Sequence, residues 1–286
     1  MKLFDAHCHL QDERYFSCLP DVIFRARSVG VNRMSCCGAG ENDWPRTREI
    51  ALKYEEIIPS FGLHPLYVSD RSENWLSNLK SFLISMPDCG VGEIGLDQMV
   101  DPPNAAEQEL CFVEQIRLAR ELKRPVTIHC RQAFARLLEV LRQEGGAPYG
   151  GVLHTYSGSA ELVPQFEALG LHISFSGAIT RSGSKRAQKA LAVVSSERLL
   201  IETDSPDILP VGASGEFNEP ANLLIVARCV ASLLGKSVEA VAELTYKNAE
   251  RLFSFKDMGI LTCHKDAQET QKYNLNQIVP FVLFCG

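Results

Sequence analysis

The sequence predicts an α/β protein whose parallel strands close into a (β/α)8 TIM barrel as a single domain. Three observations carry this expectation. Short apolar runs alternate with amphipathic stretches along most of the chain. There are eight such alternations, and strict alternation implies parallel strands joined by right-handed crossovers. The length, 286 residues, suits one closed barrel of roughly 250 residues plus an extension.

The strand-like runs are Leu3–His7, Asn32–Cys37, Ile57–Leu63, Gly90–Leu96, Pro125–His129, Gly151–His154, His172–Ser176 and Leu199–Thr203. Each is short, apolar or β-branched, and ends near glycine or a polar cluster, as a strand buried on both faces should. Helical periodicity fills the gaps at Pro20–Val29, Ala105–Leu122, Phe134–Leu141, Glu161–Leu169, Ser184–Val194, Ala221–Leu234 and Val238–Phe253. Ser237 stands before the last of these as an N-cap. The barrel is expected over residues 1–254, with a C-terminal extension at 255–286 that is either disordered or docked. That extension is polar and aperiodic over 256–276, then apolar from Ile278 to Phe284.

Composition excludes several classes. Hydrophobic residues are 45% and charged residues 22%, which places the chain among globular proteins rather than disordered ones. Its 29 basic and 35 acidic residues give a net charge of −6. Bulk charge therefore cannot hold a nucleic acid; a polyanion would need a local basic patch or bound cations. No apolar run reaches the roughly 18 residues of a membrane span. The ten cysteines form no Cys-x-x-Cys pair, and the N-terminus has no basic-then-apolar leader. Reduced thiols in the cytoplasm or nucleus are expected, with no membrane and no obligate protein partner.

The chemistry collects at strand ends. His7 and His9, two residues apart on a strand, face the same way. Glu93 is a charged residue inside a strand that should be buried, which is costly unless it is paired or ligates a metal. His129, His154 and Asp204 close the fifth, sixth and eighth strands. In a barrel all these ends surround one mouth, where barrel active sites sit. Two carboxylates brought together there repel unless a cation joins them. Mixed histidine and carboxylate donors suit Zn²⁺ or Mn²⁺, and carboxylate with water suits Mg²⁺. Six donors exceed the three or four of one catalytic zinc, so two divalent cations are expected.

Longer motifs add a resemblance. Asp5-Ala-His-Cys-His-Leu10, Gly62-Leu-His-Pro65, Gly92-Glu-Ile-Gly-Leu-Asp97, Ile128-His-Cys-Arg131, His154-Thr-Tyr-Ser-Gly158, Glu202-Thr-Asp-Ser-Pro206, Asn218-Glu-Pro220 and Asn248-Ala-Glu-Arg-Leu-Phe253 resemble the signatures of the TatD family of metal-dependent deoxyribonucleases, in the family's order. The resemblance implies an amidohydrolase-type barrel that hydrolyses DNA, commonly as a 3′-5′ exonuclease. It implies His7, His9, Glu93, His129, His154 and Asp204 as metal ligands, with Glu93 bridging two ions and His64 approaching the scissile phosphate. Gln98-Met99-Val100, Gln132 and Thr155-Tyr156 depart from the family's usual residues, and they bear on substrate preference.

Roles for the remaining groups follow from their chemistry. Asp204 either takes the proton of an attacking water or serves as a ligand only. Arg131, two residues beyond His129, either forks onto a phosphate or closes a rim salt bridge. Arg181, with Lys185, Arg186 and Lys189, forms a basic stretch that is either a track for a DNA backbone or a solvated face. Asp97 and Glu202 are expected to orient ligand histidines. Alternation turns Cys8 and Cys130 away from the mouth into packing roles. A hydrolase of a small amide, ester or lactone on the same two-metal centre is the competing reading.

Overall fold

The computed structural model describes residues 1–254; the extension expected at 255–286 lies outside them. The eight runs form strands β1 (Leu3–Cys8), β2 (Val31–Cys37), β3 (Ile57–Phe61), β4 (Gly90–Asp97), β5 (Val126–Arg131), β6 (Gly151–Leu153), β7 (Leu171–Phe175) and β8 (Leu199–Ile201). They make one parallel sheet in sequence order. Closure comes from two backbone hydrogen bonds just beyond β8: Asp204 N–H donates to the His7 carbonyl at 3.0 Å, and His9 N–H to the Ser205 carbonyl at 2.7 Å. Those bonds join the ends of β1 and β8 at the residues that carry the chemistry.

Helices α1 (Leu19–Ser28), α2 (Trp44–Lys53), α3 (Trp75–Ser85), α4 (Ala105–Glu121), α5 (Phe134–Gln143), α6 (Val163–Ala168), α7 (Lys185–Leu191), α8 (Leu223–Leu234) and α9 (Val238–Leu252) surround the sheet. Two of them, α2 and α3, do not appear among the periodic stretches of the sequence. The buried residues of α2 are Trp44, Thr47 and Ile50, one per turn and one of them polar, so its apolar stripe is faint. In α3 the buried set Trp75, Leu79 and Leu83 is blurred by exposed Ile84 on the outer side. Pro164 sets the start of α6, since a residue without an N–H fits the first helical turn. Ser237 caps α9 by accepting from Ala240 N–H at 3.1 Å.

Strand alternation decides which side chains reach the barrel interior. The Phe4 ring stacks on Phe253, just past α9, with centroids 5.6 Å apart. Phe4 therefore faces the helix layer, and its neighbours Asp5 and His7 point inward. Both are buried. Asp5 accepts from the backbone N–H and the hydroxyl of Thr203, which ties β1 to the segment after β8 a second time.

His172 on β7 is also buried. Burial, then the charges of Arg198 and Arg251, push its pKa from 6.5 down to about 4. A depressed histidine pKa favours the neutral ring in the folded state. Its contribution is complete above 6.5 and is lost as pH falls towards 4. The loss across that window should reach roughly 3 kcal/mol. Denaturant unfolding of the wild type and His172→Leu at several pH values should show the wild type losing more stability on acidification; parallel curves would contradict this.

Candidate metal centre

Glu93 stands at the centre of the barrel mouth. It lies within β4 and is 3% exposed, and its two oxygens face two different groups of imidazoles. Oε2 is 3.2 Å from His9 Nε2 and 3.4 Å from His7 Nε2. Oε1 is 2.8 Å from His154 Nε2, 3.0 Å from His129 Nδ1 and 3.3 Å from His64 Nε2. Asp204 adds an oxygen to the first group, with Oδ1 3.4 Å from His7 Nε2 and 3.6 Å from His9 Nε2. The structure thus brings together all six residues named from the sequence, and His64 with them.

The local backbone makes this arrangement possible. Gly95 has φ +151°, and a Cβ there would lie 2.0 Å from the His129 carbonyl oxygen. A Cβ on Gly62 would lie 2.9 Å from the Glu93 carbonyl oxygen. The strands on either side of Glu93 approach this closely only because both positions are glycine. Three non-glycine residues of the rim are held at positive φ: Gln132 at 56°, Thr155 at 41° and Asp204 at 56°. Such strain persists where surrounding structure fixes it, and functional sites collect it.

The nitrogens are spaced as ligands of a cation. His7 Nε2 and His9 Nε2 are 3.1 Å apart, and His129 Nδ1 and His154 Nε2 are 3.3 Å apart. Donors each about 2.0–2.2 Å from one ion lie about 3–3.5 Å from one another. The groups His7–His9–Asp204 and His7–Glu93–His154 each place their donor atoms within 4.8 Å of one another.

Hydrogen bonds on the far ring nitrogens set the tautomers. His9 Nδ1 donates to the Cys37 carbonyl at 2.8 Å. His129 Nε2 donates to Asp97 at 3.1 Å. For His9 and His129 the remaining nitrogen turns its lone pair inward, as coordination requires. His154 Nδ1 makes no hydrogen bond; its nearest carboxylate, Glu202, acts on it by charge from 3.6 Å. His64 is set the opposite way. Its Nδ1 accepts from Leu66 N–H at 3.1 Å, so the neutral ring carries its proton on Nε2 and presents a donor to the centre. Although His64–Glu93–His129 is also a compact group, this tautomer makes His64 a hydrogen-bond donor rather than a ligand.

Charge follows the same plan. Burial alone would raise the Glu93 carboxyl, but the imidazoles of His154, His64 and His7 hold it well below the ordinary range. Burial likewise opposes ionisation of Asp204, and its bonds to His7 and His9 hold it well down. The single hydroxyl proton of Thr155 is shared between Glu202 Oε1 at 2.8 Å and Asp204 Oδ2 at 3.1 Å. Thr155 and Gln11, which bonds the Cys37 carbonyl and Asp43, are supporting residues that strand patterns alone do not mark. Both stand within two residues of a proposed ligand, and that nearness is the signal available.

The basic candidates occupy the rim. Arg131, the last residue of β5, is exposed, makes no ion pair among the described residues, and acts electrostatically on Asp97. Arg181, Lys185, Arg186 and Lys189 are exposed and equally without ion pairs among the described residues. Arg186 lines a 250 Å³ cavity with Thr155 and Tyr156. The thiols of Cys8 and Cys130 are buried, and Cys8 bonds the Ser35 carbonyl, turned away from the centre.

Metal loading must displace protons. Burial and the charge of His7 lower the His154 pKa, yet Glu93 and Glu202 raise it overall to about 9. Below that pH the metal-free ring is protonated, so metal affinity should increase as pH rises towards 9. Calorimetric titration with Zn²⁺ or Mn²⁺ in buffers of different ionisation heat should register proton release; binding without it would contradict the assignment. His154→Ala should lower metal content by elemental analysis, and unchanged stoichiometry would count against the site.

Comparison with known proteins agrees with the fold and with a metal-dependent hydrolase. Residues 4–254 match the family model described as TatD related DNase. The chain is 34% identical over 251 residues to the uncharacterized metal-dependent hydrolase YabD of Bacillus subtilis, an alignment covering 88% of this chain and 98% of that one. It is 32% identical over 261 residues to the 3'-5' ssDNA/RNA exonuclease TatD of Citrobacter koseri, covering 88% and 98%. Among solved structures, YJJV, a TatD homolog from Escherichia coli, superposes with TM-score 0.84 at 28% identity, over 88% of this chain and 97% of that one. This chain belongs to the TatD family of metal-dependent hydrolases.

Proposed function

We propose that this chain hydrolyses phosphodiester bonds of single-stranded DNA, removing nucleotides from the 3′ end, with two divalent cations at the centre. One observation carries the reading: Glu93 offers each oxygen to a separate imidazole group, beside an N–H donor and a basic rim without ion pairs among the described residues. The relative from Citrobacter koseri is named for the same chemistry.

His7, His9 and Asp204 would hold one ion, and His129 and His154 the other, with Glu93 shared. Mg²⁺, Mn²⁺ or Zn²⁺ bound there supplies positive charge against a phosphate and lowers the pKa of water. The side chains then have separate tasks. Asp204, ionised and steadied by Thr155, accepts the proton of the attacking water. His64 donates its Nε2 proton in a hydrogen bond to a non-bridging phosphate oxygen. Arg131 and Arg181 contact flanking phosphates, where a guanidinium fork matches the oxygens. The free thiols of the described residues and the lack of a helix able to cross a membrane among them support a place in the cytoplasm or nucleus.

A 5′-labelled single-stranded oligonucleotide should shorten stepwise from its 3′ end with Mg²⁺ or Mn²⁺, and stop with chelator. Turnover of an amide, ester or lactone panel without any DNA hydrolysis would overturn the proposal in favour of a small-molecule hydrolase. His64→Ala should lower kcat about a hundredfold at unchanged metal content, as loss of an oxyanion donor does; loss of metal would instead make His64 a ligand.

A further inference from the structure

The rim of the barrel is electrostatically divided. The basic residues Arg181, Lys185 and Arg186 follow β7, where loops after β6 and β7 line the 250 Å³ cavity. A larger cavity of 500 Å³ lies among loops after β2 and β3, lined in part by Glu41, Asp43, Asp70, Leu63 and Tyr67. With the strands in order around a closed eight-stranded barrel, β2 and β3 stand opposite β6 and β7. The two cavities therefore flank the donor cluster from opposite sides of one mouth.

Both connect to the cluster through named contacts. On the basic side, Thr155 touches Asp204. On the acidic side, the Tyr67 ring lies 6.3 Å from the His64 ring, edge to face, and Asp43 accepts from Gln11 Nε2, which shares the Cys37 carbonyl with His9 Nδ1. Tyr67 is 46% exposed, and its ring borders the cavity. Among the described residues lining that cavity the one cation, Arg71, is tied to Glu107 at 2.7 Å. Asp70 is exposed and has no ion pair among the described residues.

We infer that the acidic cavity receives the terminal nucleoside of the substrate and selects an end that carries no further phosphate; this rests on the nuclease reading above. Its volume falls in the range of about 300–1,000 Å³ typical of small-ligand sites. Tyr67 offers the base a stacking face, and Leu63 an apolar wall. A second phosphate would meet the exposed carboxylate of Asp70, alongside Glu41, which is bonded to Ser72 and Asn78, and Asp43, which is bonded to Ala39, Gly40 and Gln11; an uncharged 3′-hydroxyl meets no such repulsion. The rest of the strand then runs over the basic side. Water oxygen bonds to the phosphorus of the terminal nucleotide, and the bond from that phosphorus to the penultimate O3′ breaks. A proton ends on that O3′, and a nucleoside 5′-monophosphate leaves.

The test compares single-stranded oligonucleotides ending in a 3′-hydroxyl, a 3′-phosphate or an abasic 3′ sugar, using the metal-loaded full chain. The hydroxyl end should be cleaved with kcat/KM roughly tenfold above the phosphate end. Asp70→Lys should narrow that ratio to near unity. Tyr67→Ala should raise KM about tenfold for the hydroxyl end and leave the abasic end unchanged. Fluorescence anisotropy of the same 5′-labelled strands in chelator gives a second readout and should rank them alike. Equal cleavage and equal binding of hydroxyl and phosphate ends would overturn the cavity assignment while the nuclease reading stands. Failure to bind or cleave any strand would overturn the nuclease reading and the cavity assignment with it.

Discussion

Everything at the mouth of this barrel depends on one buried carboxylate ringed by five imidazoles. An ionised Glu93 in a low-dielectric interior is costly alone, and burial indeed opposes its charge. The histidines repay that cost, and the geometry shows for what purpose. Nitrogens converge at 3.1 and 3.3 Å with their lone pairs turned inward. Convergent lone pairs repel unless protons or cations lie between them. The cluster is thus poised between a protonated state and a metal-loaded one, and family membership identifies the loaded state as the working one.

The fold serves that carboxylate in two ways. Glycines at 62 and 95 let neighbouring strands come close enough to present Glu93 to both histidine groups. The barrel closes through hydrogen bonds of His7, His9 and Asp204 themselves, so coordination geometry and barrel closure share a backbone. Around this, Cys37 and Asp97 fix two of the rings by hydrogen bonds, and Glu202 acts on His154 by charge. His64 differs because a single backbone N–H, from Leu66, claims the nitrogen that would otherwise hold its proton. Ligand and donor are separated by one hydrogen bond.

The sequence revealed the fold through its eight apolar runs, and the donors through polar residues at the ends of those runs. Glu93 was legible because a charge inside a buried strand has few explanations. The helices α2 and α3 were not, since Trp44, Thr47 and Ile50 give too thin a stripe and Ile84 breaks the contrast of the other. The carbonyl of Cys37 left no trace in the residue pattern because any residue supplies a carbonyl; only the register of β1 against β2 brings it to His9. The Tyr67 cavity was equally hidden. It is assembled from two loops whose separation in space is set by the barrel, and loop side chains carry no periodicity to read.

The central claim is that Glu93 joins two cations, each held by its own histidine group. Electron paramagnetic resonance of the protein titrated with Mn²⁺ addresses it directly. The account predicts two Mn²⁺ per chain at saturation, with an exchange-coupled spectrum that Glu93→Gln abolishes. A single Mn²⁺ per chain with the six-line spectrum of an isolated ion would contradict it.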